Sequence, residues 1–276
     1  MTLGIDIGGT TIGLGLLDEA GTLVRSLFAG SFGKDDSLEG TVETLKRHIS
    51  GLLTSEVRSI GIGVPSALDR EEGVIYNAIN IPSWKNVPLK QILEDSFGLP
   101  VRLNNDANCF ALGAYRHFKD ECPESLVGVT LGTGVGVGLV IDGRLYNGHN
   151  TGAGEIGCIP YLDADLETYC SSHFFTRNGT NCKKAARACC DGDPAMQRLF
   201  EIFGRHVAHL VQTILYAYDP AMIVLGGGIS RAYPLFKESM DACLAATFLY
   251  PEILERLTIR QLDNEEIALT GAALLS

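Results

Sequence analysis

Near the start of the chain, apolar residues fall at every second position: Ile5 and Ile7, then Ile12, Leu14 and Leu16, within residues 3–18. Successive side chains of a strand point to opposite faces, so this alternation predicts strands buried on one side. "DEAG" at 18–21 supplies a turn and "TLVRSLF" returns, giving a hairpin or meander. The period then changes. In "TVETLKRHISGLL", Val42, Leu45, Ile49, Leu52 and Leu53 recur at the spacing of one helical face. "SIGIGVPSALD" reads as a buried strand ended by Pro65. "YNAINIPSWKNVPLKQIL" reads as a loop-rich stretch in which Pro82 and Pro88 preclude a long helix before Leu89. "PVRLNNDANCFALGAY" predicts a short strand, a polar turn and a helix. Strands and helices that interleave in this way indicate an α/β domain.

The second half opens with "LVGVTLGTGVGVGLVIDGRLYNG", which repeats the plan of the first hairpin. At a constant offset Gly4 falls on Gly128, Gly8 on Gly132 and Asp18 on Asp142. Three matched positions in glycine-rich sequence are thin evidence alone, but they suggest two related α/β halves. After residue 190 the pattern turns helical, with Val207, Leu210, Val211, Ile214 and Leu215 along one stripe and Pro220 helping to end it. "AMIVLGGGIS" follows as an apolar strand that stops at three glycines, then a helix from about Pro234. "LTIRQLDNEEIALTGAALL" supplies a last strand and helix. No low-complexity linker interrupts the chain, so the halves are expected to pack together with a cleft between them. The expected division is an N-terminal α/β domain over 1–108, completed by the C-terminal helix at about 264–276, and a C-terminal α/β domain with a helical part over 109–263.

Composition narrows the partners. The 276 residues are 46% hydrophobic, enough for a sizeable core or two modest ones. A formal charge of -11 disfavours nucleic acid and anionic membranes, whose binding rests on clustered Lys and Arg, and points to a small-molecule partner. No apolar run approaches the roughly 20 residues that span a bilayer, and the chain enters its first strand without a charged and apolar leader, so a soluble cytoplasmic protein is expected. The eight cysteines are read as reduced thiols rather than disulfides, given this size and no secretory signal.

The glycine turns carry the first candidate chemistry. Glycine lets backbone N–H groups face an anion with no Cβ in the way, and threonine hydroxyls add donors. Gly8, Gly9, Thr10 and Thr11 in the first hairpin, and Gly132, Thr133 and Gly134 in the second, are therefore candidate phosphate binders. For any single pair the alternative is a plain tight turn. No G-x-x-x-x-G-K-[ST] loop is present. Asp6, two residues before Gly8 and on the same side of the strand, suits Mg²⁺ held mostly through water. Its alternative is a solvated or hydrogen-bonded strand Asp. Gly226, Gly227 and Gly228 offer a flat surface for an adenine or ribose.

Taken together, "GIDIGGTTIGLGLLD", "GIGVPSALD", "NIPSW", "VRLNNDANCFALG", "TLGTGVGVGLVIDG", "GAGEIG", "LETYCSS", "DPAMIVLGGGIS" and "LTGAALL" occur in the order found in the repressor, open-reading-frame and kinase (ROK) family of sugar kinases, which the chain resembles over nearly its whole length. The resemblance implies the two-domain fold shared by actin, hexokinase and the chaperone ATPases (ribonuclease H-like), with ATP in the interdomain cleft. It implies ATP and Mg²⁺ as cofactors and a hexose as substrate. A homodimer enters as a family expectation.

Phosphoryl transfer to a sugar hydroxyl needs a carboxylate to take its proton. Asp106, in "NND" at a strand-to-helix turn, matches the family's catalytic Asp; helix capping is its structural alternative. The resemblance places Asn105, Glu155 of "GEIG" and Glu167 of "LET" on the sugar, with Ser66 of "GVPS" a weaker match where relatives often carry Gly. The chain departs from the family at its structural zinc. Relatives follow Gly-Glu-x-Gly-His with a Cys-x-Cys-Gly-x-x-Gly-Cys-x-Glu segment, whereas here Cys158 stands at the His position and "CIPYLDADLET" brings no further cysteine. Four ligands are needed, so no structural zinc is expected. Cys170, Cys182, Cys189 and Cys190 lack the paired spacing of a zinc knuckle. The missing His also reaches a sugar hydroxyl in relatives, which leaves the hexose open, with glucose as default; His149 is a weak candidate for the gap.

The expected activity is transfer of the γ-phosphate of ATP to a hexose, at its 6-hydroxyl. The alternative is a catalytically inactive sugar-binding regulator of the same family. Such regulators carry a helix-turn-helix ahead of the phosphate hairpin, and with that hairpin starting at residue 3 none is expected. An actin-like or chaperone ATPase would have no reason to combine "NND", "GEIG" and "LET".

Overall fold

The alternating residues at the start form a meander of three strands, β1 (Thr2–Ile7), β2 (Thr11–Leu17) and β3 (Leu23–Gly30), with Ile5, Ile7, Ile12 and Leu14 fully buried. The computed structural model describes residues 1–275 other than 10, 34, 79, 122, 123 and 150. Helix α1 (Leu38–Leu52) begins where the Ser37 hydroxyl accepts the Gly40 N–H, and it buries Val42, Leu45, Ile49 and Leu52. Leu53 is the extended C-cap rather than a member of that face.

Strand β4 (Ser59–Val64) pairs parallel to β1. The stretch read as loops holds a small sheet of β5 (Leu68–Asp69), β6 (Val74–Asn77) and β7 (Lys85–Val87). Its strands are too short for periodicity to show, and buried side chains define it instead: Ile75, Ile81, Val87 and the fully buried Trp84, whose Nε1–H donates to Thr41 Oγ1 at 2.7 Å. Helix α2 (Leu89–Phe97), strand β8 (Val101–Asn105) and helix α3 (Asp106–His117) follow. The sheet order is β3-β2-β1-β4-β8, with β1, β4 and β8 parallel.

The next strands are β9 (Leu126–Leu131), β10 (Val135–Ile141) and β11 (Arg144–Leu145). A 3₁₀ turn (Glu155–Cys158), a two-stranded ribbon of β12 (Pro160–Tyr161) and β13 (Ala164–Asp165), and helices α4 (Leu166–Cys170), α5 (Ser172–Arg177) and α6 (Cys182–Cys190) lead to α7 (Pro194–Tyr218). Asp193 caps α7 ahead of a proline at its first position, and the stripe Val207, Leu210, Val211, Ile214 and Leu215 is buried. Strand β14 (Met222–Gly226), helices α8 (Tyr233–Thr247) and α9 (Pro251–Leu254) and strand β15 (Thr258–Gln261) complete a second sheet of order β11-β10-β9-β14-β15. Its strand order, a meander and then two parallel additions, matches that of the first.

Two compact units result. The first comprises Met1–Lys119, Leu145–Ala153 and Asn264–Ser276; the second comprises Asp120–Arg144 and Gly154–Asp263. The last helix, α10 (Glu266–Ala273), therefore belongs to the first unit. It packs so closely that glycine is required at its contacts: a Cβ on Gly61 of β4 would lie 1.8 Å from the Ala272 carbonyl oxygen, and one on Gly271 of α10 itself would lie 1.7 Å from that of Cys109 in α3. Among the described residues no helix is long and apolar enough to cross a membrane.

Candidate active site

In the first unit the polar candidates gather at the carboxyl ends of the parallel strands β1, β4 and β8, where open α/β sheets bind ligands. Asp6 lies on β1 opposite Gly13 and Gly63 of the neighbouring strands. Burial, and then the charge of Asp106, push its carboxyl up to about 7 from the ordinary 3.8. Residues distant in sequence thus share one field. In the turn after β1 the Gly8 N–H donates to the Thr11 carbonyl at 2.8 Å, and Ser31 Oγ donates to the Gly8 carbonyl at 2.8 Å. Gly9 and Thr11 are exposed; Thr10 lies outside the described residues. Ser66, after β4, is buried, with its Oγ 2.8 Å from the Ala67 carbonyl and 2.9 Å from that of Asn77, so its one proton serves the backbone.

At the end of β8 the capping role falls to Asn105, whose Oδ1 accepts the Ala107 N–H at 2.9 Å, while Asp106 is the first helical residue of α3. The positive end of the helix dipole favours the Asp106 carboxylate there. Beneath it lies a buried amide cluster that the sequence did not announce. Asn104 Oδ1 accepts the Asn105 N–H and Asn108 Nδ2, both at 2.9 Å, and Asn104 Nδ2 donates to Asn147 Oδ1 at 2.8 Å. Because the Asn105 N–H can only donate, the Asn104 amide has one orientation, and Asn108 must present its NH₂ group to it. That leaves Asn108 Oδ1 buried without a partner among the described residues, a cost of about 1–3 kcal/mol. The i, i+4 spacing of Asn104 and Asn108 was the available signal. Cys109 is buried beside this site, and burial with the charges of Asp6 and Asp106 pushes its thiol well up, keeping it un-ionised and unreactive.

In the second unit β14 runs parallel to β9 with Gly226 opposite Thr130, which brings two glycine turns side by side. The Ile229 N–H donates to the Leu131 carbonyl at 2.9 Å, and Gly227, at φ +80°, passes so close that a Cβ would lie 2.5 Å from the same oxygen. Gly132, Thr133, Gly134, Gly227 and Gly228 thus share one end of the sheet. Glu167, in the first turn of α4, joins them: its Oε2 accepts the Val135 N–H at 2.9 Å.

Glu155 is exposed in its 3₁₀ turn, with Cys158 Sγ 3.8 Å from its Oε2. Burial, and then the charges of Glu155, Glu167 and Asp165, raise the Cys158 thiol. His149 is exposed in the first unit. The β12–β13 ribbon between the two glutamates is clasped by side chains. Tyr161 Oη lies 3.1 Å from His206 Nδ1 of α7; Arg177 pairs with Asp163 at 2.9 Å and stacks over Tyr169 at 5.1 Å. Burial, and then His209, lower His206 to about 4. Among the described residues no three His, Cys, Asp or Glu group to hold a metal.

Over residues 2–276 the sequence matches the ROK family. The chain belongs to the ROK family. It is 30% identical over 264 residues to a glucokinase of Thermotoga maritima, covering 83% of this chain and 82% of that protein. It is 32% identical over 268 residues to an N-acetyl-D-glucosamine kinase of Erwinia tasmaniensis, covering 86% of each. A Streptomyces griseus ROK glucokinase solved with glucose and AMPPNP superposes with a TM-score of 0.82 at 26% identity, covering 100% of this chain and 98% of that one. The fold of this ROK protein is therefore the two-domain actin- and hexokinase-like ATPase fold.

The residues of this ROK chain suit a magnesium nucleotide. Nothing stands within 4 Å of where a Cβ would be on Gly132 or Gly228, so their backbone is open to an approaching group. The Asp106 charge adds to burial in raising the proton affinity of Asp6, and a hard divalent cation would relieve that repulsion.

Proposed function

We propose that this ROK protein is an ATP-dependent sugar kinase, moving the γ-phosphate to a hexose hydroxyl, the 6-hydroxyl of glucose by default, with Asp106 as general base. The supporting observation is the place of Asp106. It opens helix α3 at the same end of the sheet as the Gly8–Gly9 turn, near enough to Asp6 for the two charges to interact. In this reading Asp106 takes the proton of the sugar hydroxyl as the new O–P bond forms. Asn105, whose Oδ1 caps the helix, keeps its NH₂ group for a sugar hydroxyl. Glu155 accepts from further hydroxyls, and Ser66 shapes the adjacent loop. Asp6 orients Mg²⁺ through water, and bound Mg-ATP supplies the phosphoryl group and charge neutralisation. Gly8, Gly9, Thr10, Thr11, Gly132, Thr133 and Gly134 cradle phosphates; Gly227 and Gly228 lie under the nucleoside. Cys158 is a poorer donor than the imidazole the family pattern places there, so a substituted hexose competes with glucose for the role of substrate. Hexose and ATP are the partners, in the cytoplasm, with a homodimer as the family expectation.

Coupled ATP consumption with purified protein, Mg-ATP and a panel of glucose, mannose, allose, fructose, N-acetylglucosamine and N-acetylmannosamine tests the reading. Hexose-dependent turnover is expected. Sugar binding without turnover would mark a regulator, and ATP hydrolysis indifferent to sugar would remove the kinase reading.

A further inference from the structure

The β9–β10 turn directs its backbone groups unlike an ordinary hairpin. The Gly132 carbonyl accepts the Ser172 N–H at 2.9 Å, and the Thr133 carbonyl accepts Ser172 Oγ at 3.3 Å. In a trans peptide the C=O and the following N–H point in opposite directions. Drawing these two carbonyls toward the start of α5 therefore turns the N–H groups of Thr133 and Gly134 the other way. The next amide, Val135 N–H, is taken by Glu167 Oε2 at 2.9 Å. That carboxylate packs so tightly against the turn that a Cβ on Gly134 would lie 2.3 Å from it. Three consecutive peptides are thus held by two side chains and one amide that lie more than thirty residues further along the chain, beside the turn's own bond from the Gly132 N–H to the Gly134 carbonyl at 3.0 Å.

We propose that Ser172 and Glu167 are positioning residues for the nucleotide phosphates. They fix the turn so that the Thr133 and Gly134 amides aim together at an oxyanion. The proposal rests on the kinase reading of that turn. It gives Glu167 a task apart from the sugar contact that the family resemblance implies, since one of its oxygens is committed to the backbone. No reorganisation of the turn is then needed when phosphate arrives, the condition under which aligned amides act most strongly.

The test compares wild type with Glu167→Ala, Glu167→Gln and Ser172→Ala in the full chain. Calorimetry measures Mg-AMPPNP and glucose binding separately, and thermal melting checks folding. Glu167→Ala removes a charge-assisted bond and should weaken AMPPNP about tenfold. Glu167→Gln, whose amide oxygen can still accept the Val135 N–H, should stay within about threefold of wild type, and Ser172→Ala should lose about threefold. Glucose affinity should hold in Ser172→Ala. Loss confined to glucose in the Glu167 variants, with AMPPNP unchanged, overturns the proposal. If Glu167→Ala does not fold, Glu167→Gln and Ser172→Ala still decide: a Ser172→Ala protein with wild-type AMPPNP affinity overturns it as well. Wild-type protein that binds no AMPPNP sinks the kinase reading itself and the proposal with it.

Discussion

The turn after β1 and the turn after β9 occupy equivalent ends of two sheets with the same strand order, yet they are held by different means. The first closes on itself through the Gly8–Thr11 backbone bond, with one added hydroxyl, Ser31, from just beyond β3. The second also carries a backbone bond of its own, Gly132 N–H to the Gly134 carbonyl at 3.0 Å, and is held besides by Ser172 and Glu167 from α5 and α4. One topology therefore supports two glycine turns, one held within its own meander and the other also by groups placed elsewhere. The second should therefore respond to changes at a distance, at Glu167 and Ser172, that have no counterpart around the first.

Asp106→Asn sets the scale. Turnover should fall by about 10² or more with glucose affinity retained, since general-base help is worth on the order of 10²–10⁴-fold. Steady-state kinetics with wild-type turnover would remove Asp106 from the chemistry. Next in size, Gly134→Ala drives a Cβ to 2.3 Å from the Glu167 carboxylate, whereas at Gly9 the added Cβ meets the Asn80 side chain at an adaptable 3.3 Å. The Michaelis constant for ATP should rise about tenfold in the former and no more than about threefold in the latter. Equal effects would break the contrast between the turns.

Smaller effects separate the units by pH. Asp6 holds its proton in the fold up to about 7 against an ordinary 3.8, so the stability it contributes is full below 3.8 and is lost as pH rises through 7. Without Mg²⁺, Asp6→Asn should raise the melting temperature more at pH 8 than at pH 5. A gain of the same size at both would sever Asp6 from this trend. His206 behaves in the opposite sense. Its imidazole is neutral down to about 4 against an ordinary 6.5, so its contribution is present above 6.5 and disappears as pH falls through 4. His206→Gln should flatten the acid-side decline in melting temperature, modestly because the ring is half-buried. An unchanged decline would place the acid sensitivity elsewhere.

Much of the frame was legible because it is periodic. The alternation around Ile5 and Leu14, the helical stripe from Val207 to Leu215 and the matched glycines of the two hairpins all survive as strands, helix and turns. The β5–β7 sheet was not legible, since strands of two to four residues show no period and Trp84 and Thr41 find each other only in three dimensions. Helices α4 to α6, of five, six and nine residues, are also short, though their caps, Asp165, Ser171 and Asn181, are ordinary signals. At the site, the sequence singled out Asn105 and Asp106 but not which of them caps the helix. It could not show Ser172, whose importance lies in two carbonyls far back along the chain. The Asn104–Asn108–Asn147 cluster was hidden for the same reason: amides gain meaning from the partners that folding supplies.

The seat of α10 on Gly61 and Gly271 bears on how the protein is made. Strands β1, β2 and β4 are made before the second unit, but the helix that covers them is made after it. During synthesis the amino-terminal sheet must wait with an apolar flank uncovered while the other unit, contiguous apart from one short excursion, can already consolidate. Of the two sheets, the one made earlier is thus sealed later, after the whole of the second unit has been synthesised.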